Sequence, residues 1–255
     1  MAIKLLTWAV VLVVWAQPVL AAVSCSVLTQ SSSTTNATNY TTASVTPTAN
    51  ALVLLATVAT RNSTTCSDND IVSVTGNGLT WVNVNRQCFS SAGTPVQTVE
   101  TWRTMGASPS TGTINFDFSA TTQLNAAWAV IECTGVDTSG TNGSGAVVQN
   151  AINSIEPGTS LTVTLGAFGN ASNATLGVFG VADNVTVTEG SGFTELAEQL
   201  VSDGGTDIGL QVEWKASNDT SVDASFSSID AGGIAIEIKA AATAAETSGD
   251  ILWFY

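Results

Sequence analysis

Gly76-Asn-Gly-Leu-Thr-Trp81-Val-Asn-Val-Asn85, Val96-Gln-Thr-Val-Glu100-Thr-Trp102-Arg-Thr104 and Leu124-Asn-Ala-Ala-Trp128-Ala-Val-Ile-Glu132-Cys-Thr134 are short runs rich in β-branched and aromatic residues. Clusters of Gly, Pro, Asn and Ser separate them. This is strand, turn, strand, repeated through residues 76–137. Upstream, Ala51-Leu-Val-Leu-Leu-Ala-Thr-Val-Ala59 is almost continuously apolar, which predicts a central strand covered on both faces. Residues 71–75 and 79–85 read as a hairpin.

Downstream, strands are expected over 146–152, 160–165, 175–181, 186–189, 208–215, 221–227 and 233–239. Leu161, Val163 and Leu165 alternate with Thr162 and Thr164. Ile234, Ile236 and Ile238 alternate with Ala235, Glu237 and Lys239. Both patterns predict one dry and one wet face. Residues 193–201 are the one stretch that reads as helix. Together these features predict an all-β, antiparallel two-sheet β-sandwich, with a jelly roll suiting the strand number and the length. The sandwich is expected over 40–239, after a Ser/Thr-rich segment (22–39) and before a tether (240–255).

Charged residues make up 10 % of the chain, against roughly 25 % in an ordinary soluble domain. Six Lys plus Arg stand against twenty Asp plus Glu, a net charge of −14. With no basic patch to neutralise phosphates, nucleic-acid partners are not expected. The sequence holds no histidine, which removes Ser-His-Asp and Cys-His catalysis and imidazole metal ligation.

The N-terminus has a positive start (1–4), an apolar run (5–16) and small residues at Ala21 and Ala22. This is the pattern of a secretory signal over 1–21, cleaved after Ala21 or Ala22. A lipoprotein signal is the second reading because Cys25 follows closely, but Ala22-Val23-Ser24 lacks the usual Leu. No later segment is long enough to span a membrane. Four cysteines in an exported chain suggest disulfides. Cys66–Cys88 is favoured because the two flank the expected hairpin, leaving Cys25–Cys133. Eight Asn-X-Ser/Thr sequons occur, at Asn36, Asn39, Asn62, Asn142, Asn170, Asn173, Asn184 and Asn218. In a host that glycosylates, they mark surface loops.

Candidate chemistry is sparse. Glu100 shares a strand face with Trp102, and Trp128 with Glu132, so two carboxylates and two tryptophans can line a cleft if the carboxylates sit roughly 5–9 Å apart. The competing reading makes each Glu a strand-end anchor or a partner of Arg103, and each Trp core. Exposed Trp81, Trp102 and Trp128, with Tyr40, are the candidates for stacking on sugar rings; the alternation around Trp214 places that one in the core. The loops Asp68-Asn69-Asp70 and Asp203–Asp207 carry oxygen ligands but not EF-hand spacing, and read as solvated loops. No metal site and no cofactor is expected. Ile251, Leu252, Trp253, Phe254 and Tyr255 are costly to leave in water and read either as a fold-back strand or as a strand added to a neighbour.

Tyr40-Thr-Thr-Ala-Ser-Val-Thr-Pro-Thr-Ala-Asn-Ala-Leu-Val-Leu55, Gly78-Leu-Thr-Trp81, Val99-Glu-Thr-Trp102, Ile131-Glu-Cys-Thr-Gly-Val-Asp137 and Ile236-Glu-Ile238 carry a resemblance. Over residues 40–239 the chain resembles a β-sandwich family found in phage and prophage structural proteins and in secreted microbial surface proteins. The resemblance implies a jelly-roll-like sandwich and an exposed, non-enzymatic role, and supplies no catalytic residues. The expectation is a secreted or cell-surface structural or adhesive subunit that self-associates or meets a cell-surface or glycan partner. A carbohydrate-binding module is the alternative, and a glycoside hydrolase a distant one.

Overall fold

The computed structural model describes residues 22–90 and 95–242, whose regular structure is strand apart from one 3-10 turn. In chain order the strands are β1 (Ser24–Ser33), β2 (Asn39–Thr41), β3 (Leu52–Arg61), β4 (Ser73–Gly76), β5 (Val82–Phe89), β6 (Val96–Thr104), β7 (Ile114–Asp117), β8 (Asn125–Thr134), β9 (Val147–Thr164), β10 (Ala174–Val181), β11 (Thr194–Val201), β12 (Ile208–Lys215) and β13 (Ser221–Ile238). They form a first sheet ordered β1-β8-β3-β6-β5, a second ordered β11-β12-β10-β13-β9, and a small third ordered β2-β7-β4. All pairings between these strands are antiparallel, as in the sandwich the sequence predicts. Residues 1–21, where a secretory signal is expected, and residues 243–255, with the apolar C-terminal segment, lie outside the described residues.

β3 shows why the layers stack as they do. Nine of its ten residues are buried. Leu52, Leu54, Ala56 and Val58 point into the core between the two large sheets, against Leu176, Val178, Leu210 and Ile234. Val53, Leu55 and Ala59 point the other way, into a core closed by the small sheet through Tyr40, Val74, Ile114 and Phe116. An uninterrupted apolar strand is what a sheet covered on both faces requires.

The second sheet is covered on both faces as well. β9 and β13 pair along their full length, with register shifts between Ser225 and Ile229 and between Ile229 and Ala231. Pro157, which has no N–H to give, sits at this break, between the paired residues Ile155 and Gly158. Beyond it the ribbon folds back over the outer face of its own sheet. Leu161, Val163, Val222 and Ala224 pack there on Phe179, Val181 and Ala235. Asn153 Nδ2 donates to Thr162 O (2.8 Å) across the fold.

Phe89 closes the space between the large sheets. Its buried ring lies on Gly180 and Gly232, paired neighbours on β10 and β13. A Cβ on Gly232 would stand 2.6 Å from Phe89 Cδ1, and one on Gly180 would stand 3.1 Å from Cε1. Two glycines side by side make the flat seat that the ring occupies.

Several expectations need correction. Residues 71–75 and 79–85 do not form a hairpin: β4 pairs with β7 in the small sheet, while β5 pairs with β6 in the first. The Cys66–Cys88 bond is nevertheless present, joining the 3-10 turn Cys66–Asn69 to β5, and Cys25–Cys133 joins paired residues of β1 and β8. The stretch 193–201 is strand β11, held by β12, and not a helix. β1 lies inside the Ser/Thr-rich segment 22–39 and pairs with β8 in the first sheet. Ala235 and Glu237 face no water, because the folded ribbon and the Asn173 loop cover them.

Two stability predictions follow from these contacts. Gly232→Ala should lower stability by about 1–3 kcal/mol in urea denaturation because the Phe89 ring has no free volume to enter, while Gly205→Ala, in open space, stays within about 0.5 kcal/mol. Cys66→Ala/Cys88→Ala should cost about 3 kcal/mol and Cys25→Ala/Cys133→Ala about 5 kcal/mol, because the second closes the longer loop (separations 22 and 108).

Candidate functional site

The face of the first sheet turned to the small sheet gathers all four residues of the candidate cleft. Glu100 and Trp128 both pair with Thr57 of β3, from opposite sides, and Trp102 pairs with Leu55. Glu132 pairs with Val53, four residues along β3 and on the far side from Glu100. That register puts the backbones of the two glutamates about 17 Å apart, from ~3.4 Å per residue along the strand and ~4.8 Å between strands. The spacing exceeds either glycosidase geometry, so they do not form a catalytic pair.

Each glutamate is bound to backbone or amide donors instead. Glu100 Oε2 accepts from Ile71 N–H (3.0 Å), and Oε1 from Asn83 Nδ2 (2.6 Å) and Trp102 Nε1 (2.7 Å). Glu132 accepts from Thr48 N–H (2.5 Å) and Thr48 Oγ1 (2.9 Å), which fastens the loop before β3. Two further buried glutamates work the same way and escape a reading based on motifs. Glu213 Oε2 accepts from Gly190 N–H (2.9 Å). Glu237 accepts from Gln149 Nε2 (2.6 Å) and Asn173 Nδ2 (2.5 Å). The one sequence sign was a lone Glu within an apolar run, as in Ile236-Glu237-Ile238. Arg103 is not their partner; its Nη1 donates to Asn142 O (2.5 Å).

The three tryptophans named as a sugar platform are buried: Trp81 is 7 %, Trp102 9 % and Trp128 5 % exposed. Trp128 stacks in an aromatic cluster with Tyr40 (5.9 Å) and Phe116 (5.5 Å), roofed by the small sheet. Trp102 is held by Glu100, and Trp81 donates to Gly76 O (3.4 Å). The sequence shows these residues on strands but not the small sheet that covers them. Trp214 packs on the inter-sheet core, as its alternation predicts. Among the described residues no aromatic side chain is exposed.

The acidic loops bind their own backbone and near neighbours, and Asp203, Gly204 and Gly205 are exposed, as a solvated loop requires. Asp203 Oδ1 accepts from Gly205 and Thr206 N–H, and its Oδ2 from Asn125 Nδ2 (2.7 Å). Asp207 Oδ1 accepts from Asp203 N–H (2.9 Å). In the other loop, Asp70 pairs with Arg86, and Asn69 Nδ2 donates to Ala59 O and Val96 O. The side chain of Asp68 lies outside the described residues. No cluster of metal-ligating side chains occurs among the described residues.

Among the sequons, Asn36, Asn39, Asn62, Asn170, Asn184 and Asn218 are exposed and Asn142 is half-buried. Asn173 is 3 % exposed; its amide donates to Glu237 and its Oδ1 accepts from Ala240 N–H (3.1 Å). That sequon is closed in the folded protein.

Comparison of the chain with protein families, with curated proteins and with solved structures finds no match.

Two of the buried carboxyls make stability depend on pH. Burial raises Glu100 from 4.5 to about 7, against the donors from Ile71 and Trp102. Burial likewise raises Glu213 from 4.5 to about 7, against the Gly190 N–H. Folding therefore binds protons, so this stabilisation is complete below about 4.5 and is lost as pH rises through about 7. Asp137 acts in the opposite sense: hydrogen bonds from Lys239 and Ser139 lower it from 3.8 to about 2, so its contribution is lost as pH falls through that window. The melting temperature should peak near pH 4–5 and fall as the pH rises to 8. Glu213→Gln should flatten that fall; a melting temperature that rises from pH 5 to pH 8 contradicts the assignment.

Proposed function

We propose that the chain is an exported structural or adhesive subunit of a surface, filament or virion-type assembly, acting without catalysis. The observation that carries the reading is the use made of the polar interior. Glu100, Glu132, Glu213 and Glu237 each bind a loop or a neighbouring strand, and the acidic loops satisfy their own backbone. Polar groups are placed to hold the scaffold, and the candidate cleft and sugar platform are filled by it. Two disulfides suit an oxidising exterior, in keeping with the secretory signal expected over 1–21. Among the described residues no helix is long and apolar enough to cross a membrane. Six exposed sequons stand where glycans on an exported protein have room.

Electron microscopy and light scattering of the secreted full chain test the reading. Ordered assemblies at high concentration, or retention on the surface of the producing cell, are expected. A chain that stays monomeric at high concentration and binds no cell surface would overturn it.

A further inference from the structure

The side of the sandwich bounded by β5 and β9 leaves apolar surface in water. Among the described residues, the outer edges of these two strands pair with no other strand. Val148 and Ile152 of β9 are 51 % and 43 % exposed, two of the four large apolar side chains exposed in the described structure. Ile152 and Asn150 lie opposite Ile234 and Ile236, so they share the face turned to the first sheet. Asn150 Oδ1 accepts from Asn85 Nδ2 of β5 (2.6 Å), which fixes the two free edges next to each other. Val148 stands where the β9–β13 register shifts. The folded-back half of β9 exposes Thr159, Ser160, Thr162 and Thr164 instead, so apolar exposure is confined to the first half. A long edge with exposed apolar side chains is a template for another strand.

The chain carries a segment suited to it. Ile251-Leu-Trp-Phe-Tyr255 follows the small-residue stretch Thr243-Ala-Ala-Glu-Thr-Ser-Gly-Asp250. Five extended residues cover ~17 Å, enough for the ~13 Å between Val148 and Ile152. The described chain turns from the start of β9, where Lys239 N–H donates to Ala146 O, towards the far side of the first sheet. Ala240 bridges Val136, and Ala241 N–H donates to Gly135 O, both just past β8. β8 lies three strand positions from β5, roughly 14 Å across the sheet. A return from that end along the chain's own β9 would also run parallel to it, in a sheet that is otherwise antiparallel, and parallel neighbours need long crossovers.

We propose that the β9 edge at Val148 and Ile152 is the seat for residues 251–255 of a second copy of the chain. Main-chain hydrogen bonds to the free edge supply the pairing, and the apolar segment covers the two exposed side chains. Tail of one copy on edge of the next is a heterologous contact, which propagates head to tail. The inference rests on the reading of the chain as an assembling subunit and names the contact that joins the subunits.

Cysteine trapping tests it on the full chain. Ile152→Cys and Trp253→Cys are made in separate copies, which are mixed in equal amounts and oxidised; no free cysteine occurs among the described residues to compete. The expected product is the mixed disulfide, in large excess over homodimers of either variant. Val148→Asp/Ile152→Asp, at exposed positions, should keep the wild-type melting temperature and reduce the assembled fraction by roughly tenfold or more in light scattering. A chain carrying both cysteines that links only within one copy overturns the proposal, because the segment then caps its own edge. Assembly that persists in the Asp variant without a mixed disulfide also overturns it, while leaving the subunit reading intact. A wild-type chain that never assembles removes both.

Discussion

The structure depends on one constraint: the central strands of both large sheets are dry on both sides. β3 carries buried side chains on its two faces, and β10 places Leu176 and Val178 in one core and Phe179 and Val181 in another. At these strands neither face is open to water. The small sheet and the folded-back ribbon exist to cover what the two-sheet sandwich would leave exposed. Burial on this scale stabilises the fold but removes water from the loops that cross its ends. Their backbone groups need partners from the protein itself.

Those partners are short and mostly uncharged. Asn69, Asn77 and Asn125 each direct a side-chain amide at one or more backbone carbonyls, and Asn173 ties Glu237 to the chain at Ala240. An amide satisfies a carbonyl without the desolvation cost of an ammonium or guanidinium. The low charge of the sequence and its abundance of Asn, Ser and Thr thus have an interior cause as well as a surface one. Four glutamates are the exception, and burial raises two of them towards neutrality.

What could be read from the sequence was whatever local pattern alone decides. The unbroken apolar run of β3 announced a central strand, and 208–215 was legible to the residue as β12. The cysteine pairing came out as expected although its stated reason, a hairpin, was absent. Long-range placement was not legible. β9 and β13 read as two strands each because the fold at Pro157 interrupts their alternation. Glu195-Leu-Ala-Glu-Gln-Leu200 is made of helix formers, yet pairing with β12 overrides that preference. Trp102 and Trp128 lay on strands as read, and Trp81 just before one, but only the tertiary structure shows a third sheet lying over Trp128. The candidate cleft failed for the same reason: alternation gives the face of a side chain, whereas the distance between Glu100 and Glu132 is set by register.

The position of the Cys25–Cys133 bond has a mechanical consequence. The described chain enters the fold at β1 and leaves it beside Val136 at the same end, so a pull between its two ends would peel β1 from β8 one rung at a time. Peeling is the weakest mode in which a strand pair can be loaded, since each hydrogen bond bears the force alone. The disulfide sits at the second rung of that ladder. Force reaching β1 meets a covalent link before it reaches the rungs beyond, and tension is passed into β8 and the centre of the first sheet. A protein held by its ends under flow or traction would keep its outer strand in place.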